Sequence, residues 1–495
     1  MNYISTRGGR DQVSAAGAIK QGLASDGGLF MPESIPVIDS QDIAKLCDST
    51  YPERAAYILS RFLTDYTYEE LLADCEKAYA PDRFVGGAAP IHKLSDDTFV
   101  LELWHGPTSA FKDMALQIMP KLLSAALKKT GEERTAFILV ATSGDTGKAA
   151  LEGYRDVDGV KIMVFYPVDG VSRVQKLQMA TQLGENVSVC AIEGNFDDAQ
   201  TGVKKIFADT EMAELLDNNG VFLSSANSIN WGRLAPQIVY YVSAYCDLIN
   251  SGEIIAGEMI DVTVPTGNFG NIFAAFIAKM MGLPINRLVC ASNKNNILTD
   301  FLETGTYDRN RKFFTTMSPS MDILISSNLE RLLYVMSGCE NTAELMKKLN
   351  TEGCYTVDAA LKTKLDEHFT GLYCDEAGTA ATIRQTFEED KYLIDTHTAV
   401  GLSCAKQYMA KNKSGLKMVV ASTASPYKFA SDVYTSIAGK APADELSALA
   451  ELSALTSTEI PYPLADIDKR EIRFRTVIEK QNMPAEVKKT LGIDA

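Results

Sequence analysis

Residues 259–281, MIDVTVPTGNFGNIFAAFIAKMM, contain the local pattern that decides the fold. The run Met259–Val264 is rich in Val, Ile and Thr, and it predicts a buried strand. The run Ile272–Met281 carries one charge and is long enough to form a helix. Between the two runs lies a glycine-containing turn that leads from the strand into the first turn of the helix.

This turn, formed by Gly267, Asn268, Phe269, Gly270 and Asn271, has the chemistry of a phosphate-binding site. A strand-to-helix turn directs free backbone N–H groups and the positive end of the helix dipole to one point, and glycine lets the backbone approach a ligand closely. Neither G-x-G-x-x-G nor G-x-x-x-x-G-K occurs here, which excludes the Rossmann dinucleotide pattern and the Walker loop. A bare G-x-x-G is equally compatible with a purely structural tight turn.

A second turn of this type follows the β-rich run Ala136–Val140 and reads ATSGDTG at positions 141–147. Ser143, Gly144, Asp145 and Thr146 could hold a substrate carboxylate through N–H and O–H donors at a helix N-terminus. A helix N-cap without a ligand explains the same residues, and this turn alone favours that interpretation.

Lys112 lies in the string HGPTSAFKD at positions 105–113, and Asp113 is the only other charge in the helical segment around it. Apolar surroundings disfavour the charged ammonium, which makes a lysine a competent nucleophile and proton carrier. A solvated surface lysine is the alternative. Such a lysine and a separate phosphate-binding turn suit a pyridoxal 5'-phosphate enzyme, because the aldehyde is captured as a Schiff base while the phosphate is anchored elsewhere.

Five strings together resemble the threonine synthase family, in the longer non-plant form found in bacteria and fungi. They are YISTRG (3–8), DGGLFMP (26–32), HGPTSAFKD (105–113), ATSGDTG (141–147) and PTGNFGN (265–271). The resemblance extends to about Phe429. It implies an α/β enzyme of the fold type II (tryptophan synthase β-like) class, with parallel sheets flanked by helices and an N-terminal accessory domain. It also implies conversion of O-phospho-L-homoserine and water to L-threonine and phosphate, with pyridoxal 5'-phosphate as cofactor and Lys112 as catalytic residue.

The same resemblance implies roles for two further segments. SANSINWGR at 225–233 is similar to the family's segment for the substrate phosphate, which implies Asn227, Ser228 and Arg233 as its ligands. A helix N-cap with a surface arginine is the alternative there. VASTASPYKF at 420–429 resembles the segment that meets the pyridine nitrogen of the cofactor, and it implies Thr423 as the hydroxyl concerned.

Three residues depart from the family's pattern or have no assigned role. Ser425 stands where some members have histidine, so a role of that histidine does not transfer. Asp145 stands where related pyridoxal phosphate enzymes commonly have asparagine, and its contact is left open because a carboxylate would repel an ionised ring oxygen. His397, in DTHTAVG at 395–401, is interpreted as a satisfied buried histidine.

The composition limits the classes of partner. The formal net charge of −16 disfavours nucleic acid and anionic membranes. Nine scattered cysteines without a C-x-x-C pair, and a start without an apolar signal core, favour the cytoplasm. The four histidines lack zinc-ligand spacing, so we expect no metal site. The expected partner is the small substrate alone, bound to a monomer or homodimer.

Short β-rich runs alternate with helical runs and predict an α/β protein with parallel sheet. The seven β-rich runs are 99–103, 136–140, 161–166, 187–192, 261–264, 287–291 and 417–422. We expect an N-terminal accessory domain at 1–90, a two-part catalytic region at 91–440 and a C-terminal helical segment at 441–495 packed on that region. The stretch 440–455 predicts a surface helix that begins near Pro442.

Two alternatives to the implied activity remain at this point. A threonine synthase-like phospho-lyase would use the same groups but give 2-oxobutyrate. A non-catalytic relative would bind ligands without turning them over, and Lys112 together with both glycine-containing turns counts against it.

Overall fold

Short β-rich runs form the strands of the computed structural model, which describes residues 1–10, 12–142, 144–169 and 171–493. In chain order the strands are β1 (Tyr3–Ser5), β2 (Phe30–Pro32), β3 (Ile91–Lys93), β4 (Thr98–Glu102), β5 (Thr135–Ala141), β6 (Val160–Pro167), β7 (Val187–Glu193), β8 (Val221–Ser224), β9 (Ile260–Pro265), β10 (Ile285–Ser292), β11 (Thr306–Asp308), β12 (Cys354–Thr356), β13 (Phe369–Tyr373), β14 (Lys417–Ser422) and β15 (Val477–Glu479).

Two larger sheets organise the described residues. One has six strands in the order β13-β10-β9-β14-β4-β3, and all its pairs are parallel except β3 with β4. The other has five strands, all parallel, in the order β15-β7-β6-β5-β8. Every residue of β9 is buried, as expected for a parallel strand covered by helices on both faces. β1 with β2 and β11 with β12 form separate antiparallel pairs.

Helices fill most of the chain between the strands. In chain order they are α1 (Ala15–Gln21), α2 (Ser40–Cys47), α3 (Tyr51–Phe62), α4 (Tyr68–Ala78), α5 (Asp113–Leu116), α6 (Met119–Lys129), α7 (Asp145–Tyr154), α8 (Arg173–Ala180), α9 (Phe196–Ala208), α10 (Thr210–Asn218), α11 (Trp231–Asn250), α12 (Gly270–Met280), α13 (Ile297–Thr304), α14 (Leu329–Thr351), α15 (Ala359–His368), α16 (Glu376–Asp390), α17 (Thr396–Lys411), α18 (Ala430–Ala438), α19 (Ser447–Thr456) and α20 (Met483–Leu491). Two short 3₁₀ segments, Pro319–Met321 and Pro426–Phe429, border the site described below. Among the described residues, no helix combines the length and apolar character needed to span a bilayer.

The N-terminal elements share their hydrophobic core with the rest of the chain. Tyr3 and Phe62 lie against Trp231 at the start of α11, with ring centroids 5.6 and 5.5 Å apart, and all three side chains are fully buried. Aromatic contacts of this kind add to the burial of apolar surface. The accessory elements are therefore fixed to the helix that follows the 225–230 segment.

The C-terminal segment differs from the predicted helical arrangement of residues 441–495. β15 pairs in parallel with β7 and extends the five-stranded sheet at its edge. Its three residues have the exposure pattern of an edge strand and carry no periodicity that could reveal it. The helix predicted from Pro442 begins instead at Ser447. Before it, Asp444 Oδ1 accepts the backbone N–H groups of Leu446 (2.9 Å) and Ser447 (3.3 Å) and stabilises a turn.

Candidate functional site

The carboxyl ends of strands from both sheets meet at one region, which is where open parallel sheets commonly bind ligands. β9 and β14 lead into the glycine-containing turn and into Thr423, and β5 leads into the second turn. Asp145, the first residue of α7 after the second turn, forms ion pairs with two lysines that follow β4 and β14 of the other sheet. Its carboxylate lies 3.6 Å from Lys112 Nζ and 2.7 Å from Lys428 Nζ.

Lys112 is a buried lysine at the start of α5, with 9% of its surface exposed. Its Nζ lies 3.5 Å from Ser320 Oγ and 5.2 Å from the centre of the Phe111 ring. Burial lowers the pKa of Lys112 to about 8, against the attraction of Asp145. A substantial fraction of this amine is therefore uncharged just above neutral pH, as a nucleophile or base requires.

Asp113 stabilises the loop at 105–113 that contains Lys112. The backbone N–H and the hydroxyl of Thr108 donate to its two oxygens at 2.8 and 2.7 Å. A Cβ atom added at Gly106 would lie 2.6 Å from the Cβ of Asp113, so only glycine fits beside it. Burial raises the pKa of Asp113 to about 6. The string HGPTSAFKD is thus a locally hydrogen-bonded loop that holds its lysine in place.

Lys428 is the closest cation to Asp145, and sequence reasoning did not identify it. Its side chain is fully buried, and its Nζ also donates to the carbonyl oxygen of Thr108 at 3.0 Å. Burial opposes the charge of Asp145, but Lys428 and Lys112 outweigh it and hold the pKa of Asp145 well below its usual range. The signal that could have revealed Lys428 is its position between Tyr427 and Phe429, the same apolar setting that identified Lys112.

The predicted phosphate turn has free backbone donors. Within the described parts of the chain, none of the backbone N–H groups of residues 267–272 donates to an acceptor. Phe269 adopts a left-handed conformation with φ +62°, and α12 begins at the next residue. Successive N–H groups in such a bend converge on one point, where the helix dipole adds to their attraction for an anion. These residues fit a phosphate group.

Contacts from a distant part of the chain clamp this turn. Ser326 Oγ donates to the carbonyl oxygen of Gly267 at 2.6 Å. The backbone N–H and side-chain Nδ2 of Asn328 donate to the carbonyl oxygen of Asn268 at 3.0 and 3.1 Å. Ser320 approaches so closely that a Cβ atom added at Gly267 would lie 2.6 Å from its carbonyl oxygen. Nothing local to the turn in sequence signals these partners.

Substituting Gly267 by valine is expected to weaken cofactor binding about fivefold to a hundredfold, since overpacking against fixed backbone costs about 1–3 kcal/mol. Gly270→Ala is the matched control, because its added Cβ would meet only the ends of two side chains, Asn328 Nδ2 at 3.3 Å and Gln237 Nε2 at 3.8 Å. Fluorescence titration of the two variants with pyridoxal 5'-phosphate measures the difference. Equal affinity in folded Gly267→Val and wild-type protein would contradict the assignment.

Thr423 lies directly after β14 and is 6% exposed. Its carbonyl oxygen accepts the backbone N–H of Phe111 at 2.8 Å, which ties it to the segment of Lys112. Its hydroxyl makes no hydrogen bond to any described residue. It is therefore available to a ring nitrogen, as a cofactor contact requires.

Arg233 is a buried cation without a carboxylate. Only 7% of its surface is exposed, and its guanidinium donates to one acceptor within the described chain, the carbonyl oxygen of Ala226 at 2.6 Å. Burial lowers the pKa of Arg233 to about 10. A buried guanidinium without an anionic partner is costly, so this geometry suits an anionic ligand.

The other members of the predicted substrate-phosphate segment differ in their surroundings. Ser228 Oγ accepts a hydrogen bond from Asn328 Nδ2 at 3.2 Å, which links this segment to the phosphate turn. Asn227 is exposed, and its side chain makes no hydrogen bond to a described residue. Its role stays a prediction.

In the second turn, part of the predicted donor set is already in use. Thr142 Oγ1 accepts the backbone N–H groups of Gly144 at 3.0 Å and Gly147 at 2.9 Å, so Gly144 has no free N–H for a carboxylate. Asp145 is an ion-pair partner of lysines and not a carboxylate ligand through its side chain. The backbone N–H groups of Asp145 and Thr146 have no acceptor among the described residues. Ser143 lies outside the described residues.

His397 is fully buried, and both of its ring nitrogens are hydrogen-bonded. This agrees with its interpretation from sequence as a satisfied buried histidine. Its Nδ1 lies 2.8 Å from Asp395 Oδ2, and its Nε2 accepts the backbone N–H of Ser320 at 3.1 Å. His397 therefore holds in place the 3₁₀ segment whose Ser320 faces Lys112.

The start of α14 connects the N-terminal strings to the site. The Thr6 hydroxyl donates to Glu330 at 2.6 Å, and Arg7 forms two further hydrogen bonds to the same carboxylate. Arg331, fully buried, donates to the carbonyl oxygens of Phe30 at 3.2 Å and Ile229 at 2.5 Å. The strings YISTRG and DGGLFMP thus contact the segments that border the predicted phosphate turn.

The free donors of the glycine-containing turn and the buried amine of Lys112, whose pKa is lowered, together suit a cofactor that has a phosphate and a reactive aldehyde. A family model described as "Pyridoxal-phosphate dependent enzyme" matches residues 86–423, which places the chain in the fold type II class of these enzymes. Models for "Threonine synthase N terminus" and "Threonine synthase, C-terminal" match residues 2–79 and 398–490. The chain belongs to the threonine synthase family.

Individual relatives agree with this assignment. The chain is 38% identical to "Threonine synthase" of Pseudomonas aeruginosa, over 96% of this chain and 95% of that protein. It is 42% identical to "Threonine synthase-like 1" of Pongo abelii over 86% of this chain, and it spans only 60% of that longer relative. The crystal structure of "PLP bound Threonine synthase" from Brucella melitensis matches with a TM-score of 0.88 and 37% identity, covering 99% of both chains.

Proposed function

We propose that this protein is a threonine synthase that converts O-phospho-L-homoserine and water to L-threonine and phosphate. The observation that carries the proposal is a second anion-binding group, separate from the phosphate turn. The Arg233 guanidinium has no carboxylate partner in the described chain, and its charge contributes to lowering the pKa of Lys112. A substrate that brings its own phosphate to a lysine-bound cofactor fits this pair of sites.

Each part of the cofactor has a candidate partner in this chain. Residues Gly267–Asn271 would bind its phosphate through backbone N–H groups, and Thr423 would meet its ring nitrogen. Lys112 would anchor it covalently. Pyridoxal 5'-phosphate, when bound, supplies an aldehyde that takes up amines and a ring that withdraws electrons from the attached amino acid.

The chain's own residues would carry the proton transfers. Lys112 Nζ would serve as the base that takes the proton from the substrate Cα. Burial lowers its pKa to about 8, which increases the fraction of neutral amine that this role needs. Arg233 would stabilise the negative charge that grows on the phosphate as the bond to Cγ breaks. The proposed substrate-binding set stays as predicted from sequence and consists of Ser143, Gly144, Asp145, Thr146, Asn227 and Ser228. In the second turn, the backbone N–H groups of Asp145 and Thr146 have no acceptor among the described residues.

Product identification separates this function from its alternatives. Incubation with O-phospho-L-homoserine and pyridoxal 5'-phosphate is expected to release L-threonine and phosphate in equal amounts, measured by mass spectrometry and a phosphate assay. Phosphate with 2-oxobutyrate in place of threonine would establish the phospho-lyase. No phosphate release above a Lys112→Ala control would establish a non-catalytic relative.

The proposed function is accompanied by proposals on the compartment, the oligomeric state and the domain organisation of the protein. We infer a cytoplasmic enzyme that acts as a monomer or homodimer on a small substrate, without nucleic acid. The net charge of −16 supports the last point, and the nine unpaired cysteines support a reducing compartment. The proposed organisation is an N-terminal domain at 1–90, a catalytic region at 91–440 and a C-terminal segment at 441–495.

A further inference from the structure

We infer that Lys428 is a positioning residue of the site, whose ammonium group pairs more closely with Asp145 than Lys112 does and so weakens the attraction of that carboxylate for the amine of Lys112. The inference rests on the proposed role of Lys112 as the reactive amine. It assigns a function to a lysine that neither the phosphate turn nor the substrate segment requires.

Lys428 lies closer to the carboxylate of Asp145 than Lys112 does. Lys428 Nζ lies 2.7 Å from Asp145 Oδ1, within hydrogen-bond distance, whereas Lys112 Nζ lies 3.6 Å from Oδ2 and outside it. Gln175 Nε2 donates to Oδ1 as well, at 2.8 Å. Two close donors therefore bind Oδ1, and Lys112 faces only Oδ2, at the longer distance.

Lys428 is itself fixed in place. Its side chain is fully buried in the Pro426–Phe429 segment, directly after Thr423, and its second contact is the carbonyl oxygen of Thr108 in the Lys112 loop. A buried ammonium group depends on such partners, because it has lost its hydration. The pair with Asp145 is thus part of the folded core and not an occasional surface contact.

Around Lys112 the balance of charge is positive. The charged groups that act on it are Asp145 from α7, Lys428 from the 3₁₀ segment and Arg233 from α11. Asp113, next to Lys112 in sequence, is paired with Thr108. Removal of Lys428 would leave Asp145 with Lys112 as its nearest cation and would also remove one repulsion, and both changes favour the charged, unreactive form of Lys112.

The same pair gives a physical reason for an aspartate at position 145. An unpaired carboxylate there would repel an ionised oxygen of the cofactor ring. With Lys428 at 2.7 Å, the two buried groups have no net charge between them. A carboxylate paired in this way can stand where a neutral amide would otherwise be needed.

The test measures the pH at which Lys112 becomes reactive in the full-length protein before cofactor is added. Cyanate carbamylates only the neutral amine, and mass spectrometry of the digested protein reports the rate at each lysine. In wild-type protein the midpoint for Lys112 is expected near pH 8. The exposed Lys413 is the internal control in every sample. No substrate is present, so the result is independent of which product the enzyme forms.

Lys428→Met is expected to raise the Lys112 midpoint by at least about one pH unit, which makes carbamylation at pH 7 about tenfold slower. Lys428→Arg keeps the charge and should keep the midpoint close to wild type. The Lys413 midpoint should be the same in all three proteins. An unchanged Lys112 midpoint in folded Lys428→Met protein would overturn the inference.

A second comparison covers the case in which Lys428→Met does not fold. Asp145→Asn and the double variant Asp145→Asn with Lys428→Met both lack the buried carboxylate, and the double variant also lacks the second ammonium group. The Lys112 midpoint should be higher in the double variant than in Asp145→Asn, because one repulsion is gone. Equal midpoints would show that Lys428 does not influence Lys112.

Discussion

Replacing Lys112 by alanine is expected to lower kcat/KM for threonine formation by at least about three orders of magnitude. The substitution would remove both the proposed covalent anchor of the cofactor and the proposed base at Cα, and a positioned base alone is worth about 10²–10⁴ in rate. Lys112 suits both tasks because it is buried beside Ser320 and its pKa is lowered to about 8. Steady-state kinetics with O-phospho-L-homoserine measures the loss.

Borohydride reduction of the yellow holoenzyme locates the anchor independently of activity. The reduced cofactor is expected on the peptide that contains Lys112. Lys148 is a matched control, because it is also buried but lies 3.3 Å from Glu152 in an ion pair of its own. Lys148→Met should keep the label on Lys112, and recovery of the label on any other lysine would contradict the assignment.

Arg233→Ala is expected to weaken substrate binding about tenfold to a hundredfold while the protein stays yellow. Charge-assisted hydrogen bonds contribute about 1.5–3 kcal/mol, and Arg233 has no internal carboxylate that would compete for them. The proposed site of the cofactor phosphate is the separate turn at Gly267–Asn271, so cofactor affinity should change little. Titration with O-phospho-L-homoserine and with pyridoxal 5'-phosphate gives the two affinities.

Arg233→Lys refines this result. A lysine restores the charge but not the planar, two-pronged donor, so it should recover only part of the lost affinity. If Arg233→Ala lost cofactor while its remaining holoenzyme bound substrate normally, the two phosphate sites would have been assigned the wrong way round.

The strands of both central sheets were largely predictable from sequence, because parallel strands buried on both faces read as short apolar runs. The seven runs at 99–103, 136–140, 161–166, 187–192, 261–264, 287–291 and 417–422 correspond to β4, β5, β6, β7, β9, β10 and β14. β3, β8, β13 and β15 were not predicted. β3 and β15 have only three residues each, β8 has four residues of which two are partly exposed, and Gly371 interrupts the apolar run of β13.

The local parts of the site were predictable for a different reason. A strand followed by a glycine-containing turn and a helix is one continuous stretch of sequence, so residues 267–271 were recognisable as an anion site. Ser320, Asn328 and Lys428 were not, because they reach the site only through folding. Asn328, for example, contacts Asn268 across 60 residues, and Lys428 contacts Thr108 across 320.

The hydrogen bonds between the N-terminal strings and the start of α14 affect how the protein can be made in the cell. Thr6 and its acceptor Glu330 are 324 residues apart, so Thr6 leaves the ribosome long before its partner exists. At about 5–20 residues per second, the wait is on the order of 15–60 s. Throughout that time the nascent chain exposes the apolar surface that α14 will cover and lacks a completed phosphate turn. We therefore expect cofactor capture to follow synthesis, and the growing chain to depend on chaperones that shield it until Glu330 and Arg331 emerge.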